Sequence, residues 1–425
     1  MKKTIKIGIL GLGTVGGGVV NVLAKNKAEI FARTGVNIEV GIGCVKDKNE
    51  SRICKDSDFD TLTENAIDVI NSDCDIVLEL IGGTSFAKDL VIAALNSGKS
   101  VVTANKALIA TYGNELLKLA KKNGVKLLFE AAVAGGIPIL KTIEQGLSAN
   151  KITKIAGIIN GTGNFILTAM RDEGRDFADV LSEAQKLGYA EADPAFDVEG
   201  TDAAHKLTIL SSMAFGINLD FSQVKTSGIG KVAQIDTKIA DELGFKIKHL
   251  AVATNDENGV AMSVHPTLIP KTNIIASVDG VMNAVMVVGN AIGETMSYGA
   301  GAGSDATASS VIADIIDIIN QTCGNSILGW KELKNANFIT FDDTESEFYL
   351  KLSVADDTGV LASITSILSE FNISVEKMLQ TENGKIATIA IITNKVKTKD
   401  INLAVAKIEK QNFNKENIQL LHTFS

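Results

Sequence analysis

The chain has few of the residues from which metal centres and disulfide frameworks are built. Its four cysteines, Cys44, Cys54, Cys74 and Cys323, form no CxxC pair, and with only four histidines Cys/His metal spacing is missing too. Reduced thiols follow, with Cys44 and Cys74 expected in the core because they stand in apolar runs. A concentrated basic patch is also absent. There are 41 Lys and Arg against 50 Asp and Glu, a net charge of −9, which argues against nucleic acid as a partner because phosphate neutralisation needs clustered cations. The apolar run from Val278 to Ile292 is broken by Asp279, Gly280, Asn283, Gly289 and Asn290 and falls short of a bilayer span. The opening MKKTIKIGILGLGTVGGGVV has the charge and apolarity of a signal peptide, yet its glycine spacing accounts for it better. A cytoplasmic protein with no membrane partner is therefore expected.

At 425 residues and 45% hydrophobic content the chain can bury substantial cores, enough for two or three domains. What is present starts at the N-terminus, where Ile5 to Gly16 read IKIGILGLGTVG, an apolar run followed by Gly11, Gly13 and Gly16 in GxGxxG spacing and then the helical stretch Val19 to Ala24. In a dinucleotide fold Gly11 permits the turn, Gly13 lets backbone approach the pyrophosphate, and Gly16 allows close helix packing. The helix N-terminus offers unpaired N–H groups to phosphate. The next strand, Ile38 to Val45, should end at the adenosine ribose. It runs into Lys46, which would favour a 2′-phosphate and hence NADP, with Asp47 just after it, which could serve NAD.

Up to Phe129 apolar strands alternate with helical stretches: Ile5 to Leu10, Ile38 to Val45, Ile76 to Leu80, Ser100 to Thr103 and Lys126 to Phe129. That alternation predicts an α/β fold with a Rossmann-type doubly wound parallel sheet. The loops Glu79 to Thr84 and Thr103 to Lys106 follow strand ends and so fall on the ligand edge, which aims Lys106 at the cofactor region. From Lys151 to Ile159 an added strand leads into Asn160-Gly-Thr-Gly163, where a substrate-handling α+β part should begin. It continues through a helix from Phe177 to Leu187 and strands near Lys248 to Val252, Ala261 to Val264 and Ala284 to Val288. YGAGAGSDATASS, with Gly299, Gly301 and Gly303 before a helix from Val311 to Ile319, suits a return to the cofactor fold. The polar segment from Asn335 to Ser346 reads as a linker. Beyond it the order strand, helix, strand, strand, helix, strand predicts a ferredoxin-like βαββαβ tail.

The stretch LGYAEADPAFDVEGTDAAHK crowds Glu191, Asp193, Asp197, Glu199 and Asp202 around Lys206. On a helix from Thr201 through Phe215, Asp202 and Lys206 share one face while Ala203, Leu207 and Leu210 mark the buried side. A lysine beside carboxylates near a core has its proton affinity tuned by burial and charge, as a proton-transfer catalyst requires. The alternative is an ordinary helix-stabilising ion pair four residues apart.

On these residues the whole chain resembles the long bacterial homoserine dehydrogenases that carry a C-terminal ACT domain. GYAEADPAFDVEGTDAAHKL is similar to their substrate-pocket signature, TANKALIA to their cofactor-lysine loop, and GAGAG with TASSVIADI to their return into the nucleotide domain. Asp356-Asp-Thr-Gly-Val-Leu361 is similar to the acidic turn that opens an ACT domain. The resemblance implies a nucleotide-binding domain at 1–133 and 300–333, a substrate and dimerisation domain at 134–299, and a regulatory ACT domain at 346–425. It implies NAD(P)-dependent interconversion of L-homoserine and L-aspartate 4-semialdehyde on the route to threonine, methionine and isoleucine, with Lys206 as proton donor and Asp202 as its partner. Glu191, Asp197 and Lys106 would contact substrate. Gly11, Gly13, Thr14, Val15, Lys46, Gly83, Thr84, Lys106 and Gly301 or Gly303 would hold the nucleotide. A monovalent cation, sodium, would sit on Glu130 and the backbone oxygens of Val133, Gly135 and Ile137. Family members often carry proline where this chain has Ala300 and Ala306, which leaves open which glycine of that loop meets the cofactor. The ACT tail implies threonine feedback and a homodimer or homotetramer, and a bifunctional enzyme with an aspartate kinase part is not expected. The alternatives are another Rossmann amino-acid or semialdehyde dehydrogenase, and a non-catalytic amino-acid sensor.

Overall fold

Short apolar runs in the first third of the chain close into one parallel sheet, in a computed structural model that describes residues 4–322 and 326–424. Its strands are β1 (Thr4–Leu10), β2 (Asn37–Cys44), β3 (Thr61–Thr63), β4 (Ile76–Glu79), β5 (Ser100–Thr103) and β6 (Leu127–Leu128), in the order β3-β2-β1-β4-β5-β6. Every neighbouring pair is parallel. The order reverses between β1 and β4, and in a doubly wound sheet the crevice at that switch takes the ligand. Both faces must be covered, so β1 and β4 read as continuous apolar runs, with Ile7, Ile9, Leu10 and Leu78 fully buried.

This sheet belongs to a unit that comprises the chain up to Ile155 together with His205–Ser222 and Asn283–Ala336. The late segment covers the early one. Val311, Ile312, Ile315 and Ile319 of the Ser304–Asn320 helix share a core with Ile7, Ile9, Val19 and Leu23. The Ser304 hydroxyl donates to the Thr14 carbonyl at 3.0 Å, which ties the late helix to the start of the Thr14–Lys25 helix. Two details differ from expectation. Gly299 and Ala300 end a strand, Gly293–Ala300, rather than opening a loop, and the helix starts at Ser304 rather than Val311. The small residues between 304 and 310 carry no apolar periodicity, which hid that first part of the helix from the sequence.

The second unit comprises Ala156–Ala204, Gln223–Met282 and Asn337 onward. Its helices include Gly161–Glu173, Phe177–Lys186 and Ala195–Val198, and Thr201–Phe215 starts within it at the predicted bounds and ends in the first unit. The order of its sheet is Phe245–Asn255, Val260–Pro270, Gln419–Thr423, Glu345–Ala355, Ile386–Thr393 and Val375–Asn383. The last four strands, with helices Val360–Glu370 and Thr398–Glu409, form the expected ferredoxin-like βαββαβ tail around a core of its own that includes Phe348, Leu352, Ile364, Ile391 and Ile401. Gly359 takes φ +91° at the start of the first of these helices, where a side chain would be strained. The segment expected as a linker is held in place, since Val260 N–H donates to Asn337 O at 2.8 Å and Ile339 N–H to Val260 O at 2.9 Å.

Cys44, Cys54 and Cys74 are buried thiols, and Cys323 lies outside the described residues. Among the described residues no helix is long and apolar enough to cross a membrane.

Candidate active site

The three fingerprint glycines of the first unit each meet a different constraint. Gly11 has φ +97°, and a Cβ on it would come within 2.8 Å of the Leu80 carbonyl oxygen. Gly16 lies under the turn, where a Cβ would meet the Gly11 carbonyl oxygen at 2.0 Å. Gly13 has nothing within 4 Å of such a Cβ. Turn, packing and open approach are thus divided as a dinucleotide loop requires, and Gly13 is the N-cap of the Thr14–Lys25 helix, whose first turn has no side-chain cap.

At the carboxyl end of β2, Lys46 is exposed while the Asp47 carboxylate closes on its own turn, accepting from Asn49 N–H at 2.8 Å and from Asn49 Nδ2 at 3.0 Å. At the end of β4 stands Glu79, a fully buried carboxylate that the sequence motifs do not mark. It accepts from the Thr103 hydroxyl at 2.6 Å and from the N–H groups of Ile81 and Gly82 at 3.1 and 3.2 Å, which shapes the Gly82–Gly83 turn. Asn105 caps the Lys106–Asn123 helix through Leu108 N–H and donates to the Gly83 carbonyl at 2.6 Å. The two loops expected on the ligand edge are therefore tied together, with half-buried Lys106 as the first residue of its helix. A charged residue inside an apolar strand was the available signal for Glu79.

The loop beginning at Glu130 is a second focus of charge in this unit. Glu130 is 2% exposed, and its carboxylate accepts from Leu140 N–H at 2.8 Å and Lys141 N–H at 2.9 Å. Its own N–H donates to Asp314, which also pairs with the Lys141 ammonium at 3.2 Å. Burial, with Asp314 close by, pushes the Glu130 carboxyl up to about 7, and burial pushes Asp314 up to about 6. Ala134 and Gly135 both take positive φ, at 55° and 50°. The Gly135 carbonyl accepts from the Ser310 hydroxyl at 2.7 Å and the Ile137 carbonyl from Ile139 N–H at 2.8 Å. Each carbonyl keeps a second lone pair, so the set fits a weakly held monovalent ion better than a demanding divalent one. Among the described residues no cluster of three His, Cys, Asp or Glu side chains could hold a metal.

In the second unit one side chain gathers the acidic segment. Asn160, which precedes the Gly161–Glu173 helix, donates through Nδ2 to Asp197 at 2.7 Å and to Asp202 at 2.9 Å. Gly200, with φ +87°, separates the Ala195–Val198 helix from the next one. A Cβ on it would meet the His249 ring at 3.2 Å. His249 Nε2 contacts the Ser227 carbonyl at 3.0 Å, which fixes that nitrogen as the donor, and burial pushes the ring down to about 4, leaving it neutral. Glu191 is exposed, with its carbonyl accepting from Gln185 at 3.1 Å. Its segment is fastened by the Thr162 hydroxyl, which donates to the Tyr189 carbonyl at 2.6 Å.

Lys206 follows Asp202 by one turn of the Thr201–Phe215 helix and is 8% exposed against 2% for Asp202. Burial to that degree is uncommon for a lysine and weighs against a solvated surface ion pair. Of the sequence-predicted residues, Asp197 and Asp202 are joined through Asn160, whereas Lys106, the fingerprint glycines and the Glu130 loop belong to the first unit. Gly301 is enclosed, a Cβ there striking the Asn283 amide at 2.0 Å. Gly303, at the start of the Ser304–Asn320 helix with φ +122°, has nothing within 4 Å.

Comparison with known proteins bears on the same segments. A family model described as "Homoserine dehydrogenase" matches residues 138–316, one described as "Homoserine dehydrogenase, NAD binding domain" matches 11–130, and an ACT domain model matches 348–413. The homoserine dehydrogenase of Pseudomonas aeruginosa is 50% identical over 418 residues, covering 96% of each chain. A crystal structure of a homoserine dehydrogenase from Thiobacillus denitrificans superposes with a TM-score of 0.95 at 46% identity, over 100% of this chain and 99% of that one. A hyperthermophilic archaeal homoserine dehydrogenase solved in complex with NADPH gives 0.64 at 28% identity, over 75% of this chain and 98% of its own.

Proposed function

The chain belongs to the homoserine dehydrogenase family, an NAD(P)-dependent oxidoreductase with an ACT domain, and from that premise we propose how its residues divide the work. The reaction interconverts L-homoserine and L-aspartate 4-semialdehyde on the route to threonine, methionine and isoleucine. Bound nicotinamide supplies or takes the hydride at the aldehyde carbon. Lys206 hands a proton to the oxygen as its negative charge develops, and Asp202, one turn earlier, orients and tunes that lysine. Asp197 and Glu191 receive the substrate ammonium, and Lys106 reaches toward cofactor and substrate from its helix start.

The observation that carries this reading is a lysine only 8% exposed, one turn from a carboxylate only 2% exposed. Lys206→Ala should lower turnover by about 100-fold or more with nucleotide binding retained, as removal of a general acid does. Steady-state kinetics beside a nucleotide titration test it, and near-normal turnover would overturn it.

The nucleotide rests on Gly11, Gly13, Thr14, Val15, Gly83 and Thr84. Between the two late glycines, the open Gly303 is the better contact and the enclosed Gly301 a packing residue. NADP is preferred because Lys46 is exposed at the end of β2 while Asp47 is engaged by Asn49. Glu130 and the carbonyls of Val133, Gly135 and Ile137 would hold sodium, whose charge would offset the buried carboxylates of Glu130 and Asp314.

In domain terms the division 1–133 with 300–333, 134–299 and 346–425 serves nucleotide, substrate and regulation in turn. A homodimer or homotetramer is supported by exposed Tyr298 in the edge strand Gly293–Ala300 and by exposed Ile292 just before it. The ACT sheet likewise ends on a strand with exposed Val375 and Met378, which suits side-by-side pairing and threonine feedback. Buried thiols suit a cytoplasmic setting. A different Rossmann dehydrogenase, or a sensor without activity, is not favoured against a relative 50% identical over 96% of this chain.

A further inference from the structure

Asn160 occupies the meeting point of three elements in the second unit. It follows the Ile152–Ile158 strand, caps the Gly161–Glu173 helix, and faces two carboxylates, one on the Ala195–Val198 helix and one in the first turn of the Thr201–Phe215 helix. Its Oδ1 accepts from Gly163 N–H at 2.7 Å. That bond settles the amide's orientation, because the flipped form would turn its oxygen on two carboxylates and its NH2 on an N–H. Both donors of the nitrogen then have an acceptor, Asp197 Oδ1 at 2.7 Å and Asp202 Oδ2 at 2.9 Å. The side chain is 5% exposed, so the bridge is shielded from competing water.

The chemistry of this position is narrow. Aspartate has the right length and caps the helix as well, but it has no hydrogen to give. Serine caps and offers one donor where two are used. Glutamine sets the nitrogen one carbon farther away. A lysine would supply charge and draw both carboxylates into ion pairs, removing them from substrate and catalyst. A neutral amide with two N–H bonds holds two anions at fixed places and leaves their charge available.

We propose that Asn160 is a positioning residue for the reaction, yoking the carboxylate that receives the substrate ammonium, Asp197, to the carboxylate that serves the proton donor, Asp202. This rests on the roles assigned above to Asp197, Asp202 and Lys206. Substrate arrival at one end of the bridge then sets the geometry at the other through a single rigid group, so that alignment for proton transfer accompanies binding.

Asn160→Asp tests it with the helix cap and the side-chain size preserved. In that variant kcat/KM for homoserine should fall about 100-fold while KM for the nucleotide stays within about twofold of the parent, since only the substrate side is disturbed. The acid limb of the pH profile should move up by about one unit, because a third carboxylate raises the proton affinity of the group. Asn160→Ser, with one donor left, should lose about tenfold and keep the limb in place. Wild-type kinetics and pH profile in Asn160→Asp would overturn the proposal, as would an equal loss of affinity for homoserine and nucleotide. If Asn160→Asp does not accumulate as folded protein, the same comparison of KM values in Asn160→Ser decides. Lys206→Ala measured in parallel separates the premises: an active Lys206→Ala removes the site assignment itself, whereas an inactive one beside an unaffected Asn160→Asp removes the positioning role alone.

Discussion

Gly16 lies so close to Gly11 that a Cβ on Gly16 would stand 2.0 Å from the Gly11 carbonyl oxygen, whereas Gly13, between them, has open space on that side. Two glycines of one motif should therefore fail differently. Gly16→Ala forces the Thr14–Lys25 helix away from β1 and should cost about 1–3 kcal/mol of stability, as overpacking does. Gly13→Ala should melt at the parent temperature yet raise KM for the nucleotide about tenfold by blocking backbone approach. Thermal melts and nucleotide titrations of the two variants check the contrast, and equal melting points would refute it.

Lys46 is the second nucleotide determinant. Lys46→Ala should lower kcat/KM with NADP about tenfold and leave the value with NAD nearly unchanged, because a 2′-phosphate loses one charged contact. Rates with both nucleotides give the ratio directly. An unchanged ratio would shift the preference to another residue.

Sodium should support turnover if the Glu130 loop holds it. Exchange into tetramethylammonium, too large for carbonyl ligation, should lower kcat several-fold, and returning sodium should restore it. Rates indifferent to the exchange would leave Glu130 and Asp314 as purely structural carboxylates.

Acid should unfold the second unit through its histidines. Burial pushes His249 and His422 down to about 4, and burial with His422 alongside holds His265 well below the ordinary 6.5. Since these folded-state values are depressed, the unfolded chain binds more protons between pH 6.5 and 4. Their contribution is full above 6.5 and is lost as pH falls toward 4. Three such groups give a slope of up to about 4 kcal/mol per pH unit within the window. His422→Phe keeps the aromatic stack on His265, whose centroid lies 4.1 Å away, and removes one proton site. Urea midpoints between pH 4.5 and 7 should then fall less steeply than in the parent, by about a third of the histidine contribution.

The parts of this protein that could be read from its sequence are those whose cause is local. β1, its glycine turn and the Thr201–Phe215 helix declare themselves within a dozen or so residues, and Asp202 and Lys206 share a face because they share a helix. The start of the Ser304–Asn320 helix was hidden by small residues, and Gly293–Ala300 by glycine in a strand. Asn160 leaves no such local trace, because its partners lie 37 and 42 residues further along and no periodicity marks a side chain whose work is to join distant segments. Glu79 shows only as a charge inside an apolar strand, since its partner Thr103 comes 24 residues later.

The Ser304–Asn320 helix supplies much of the apolar cover for the Thr14–Lys25 helix, although almost three hundred positions separate them. During synthesis the earliest part of the protein to leave the ribosome must wait for one of the later parts before its interior is sealed. A nascent chain halted at Val281 should therefore remain open to protease within its first fifty residues and recruit chaperones, whereas one halted far enough beyond Asn320 for that helix to have left the exit tunnel should resist. The enzyme's oldest-made binding surface is among the last to become safe.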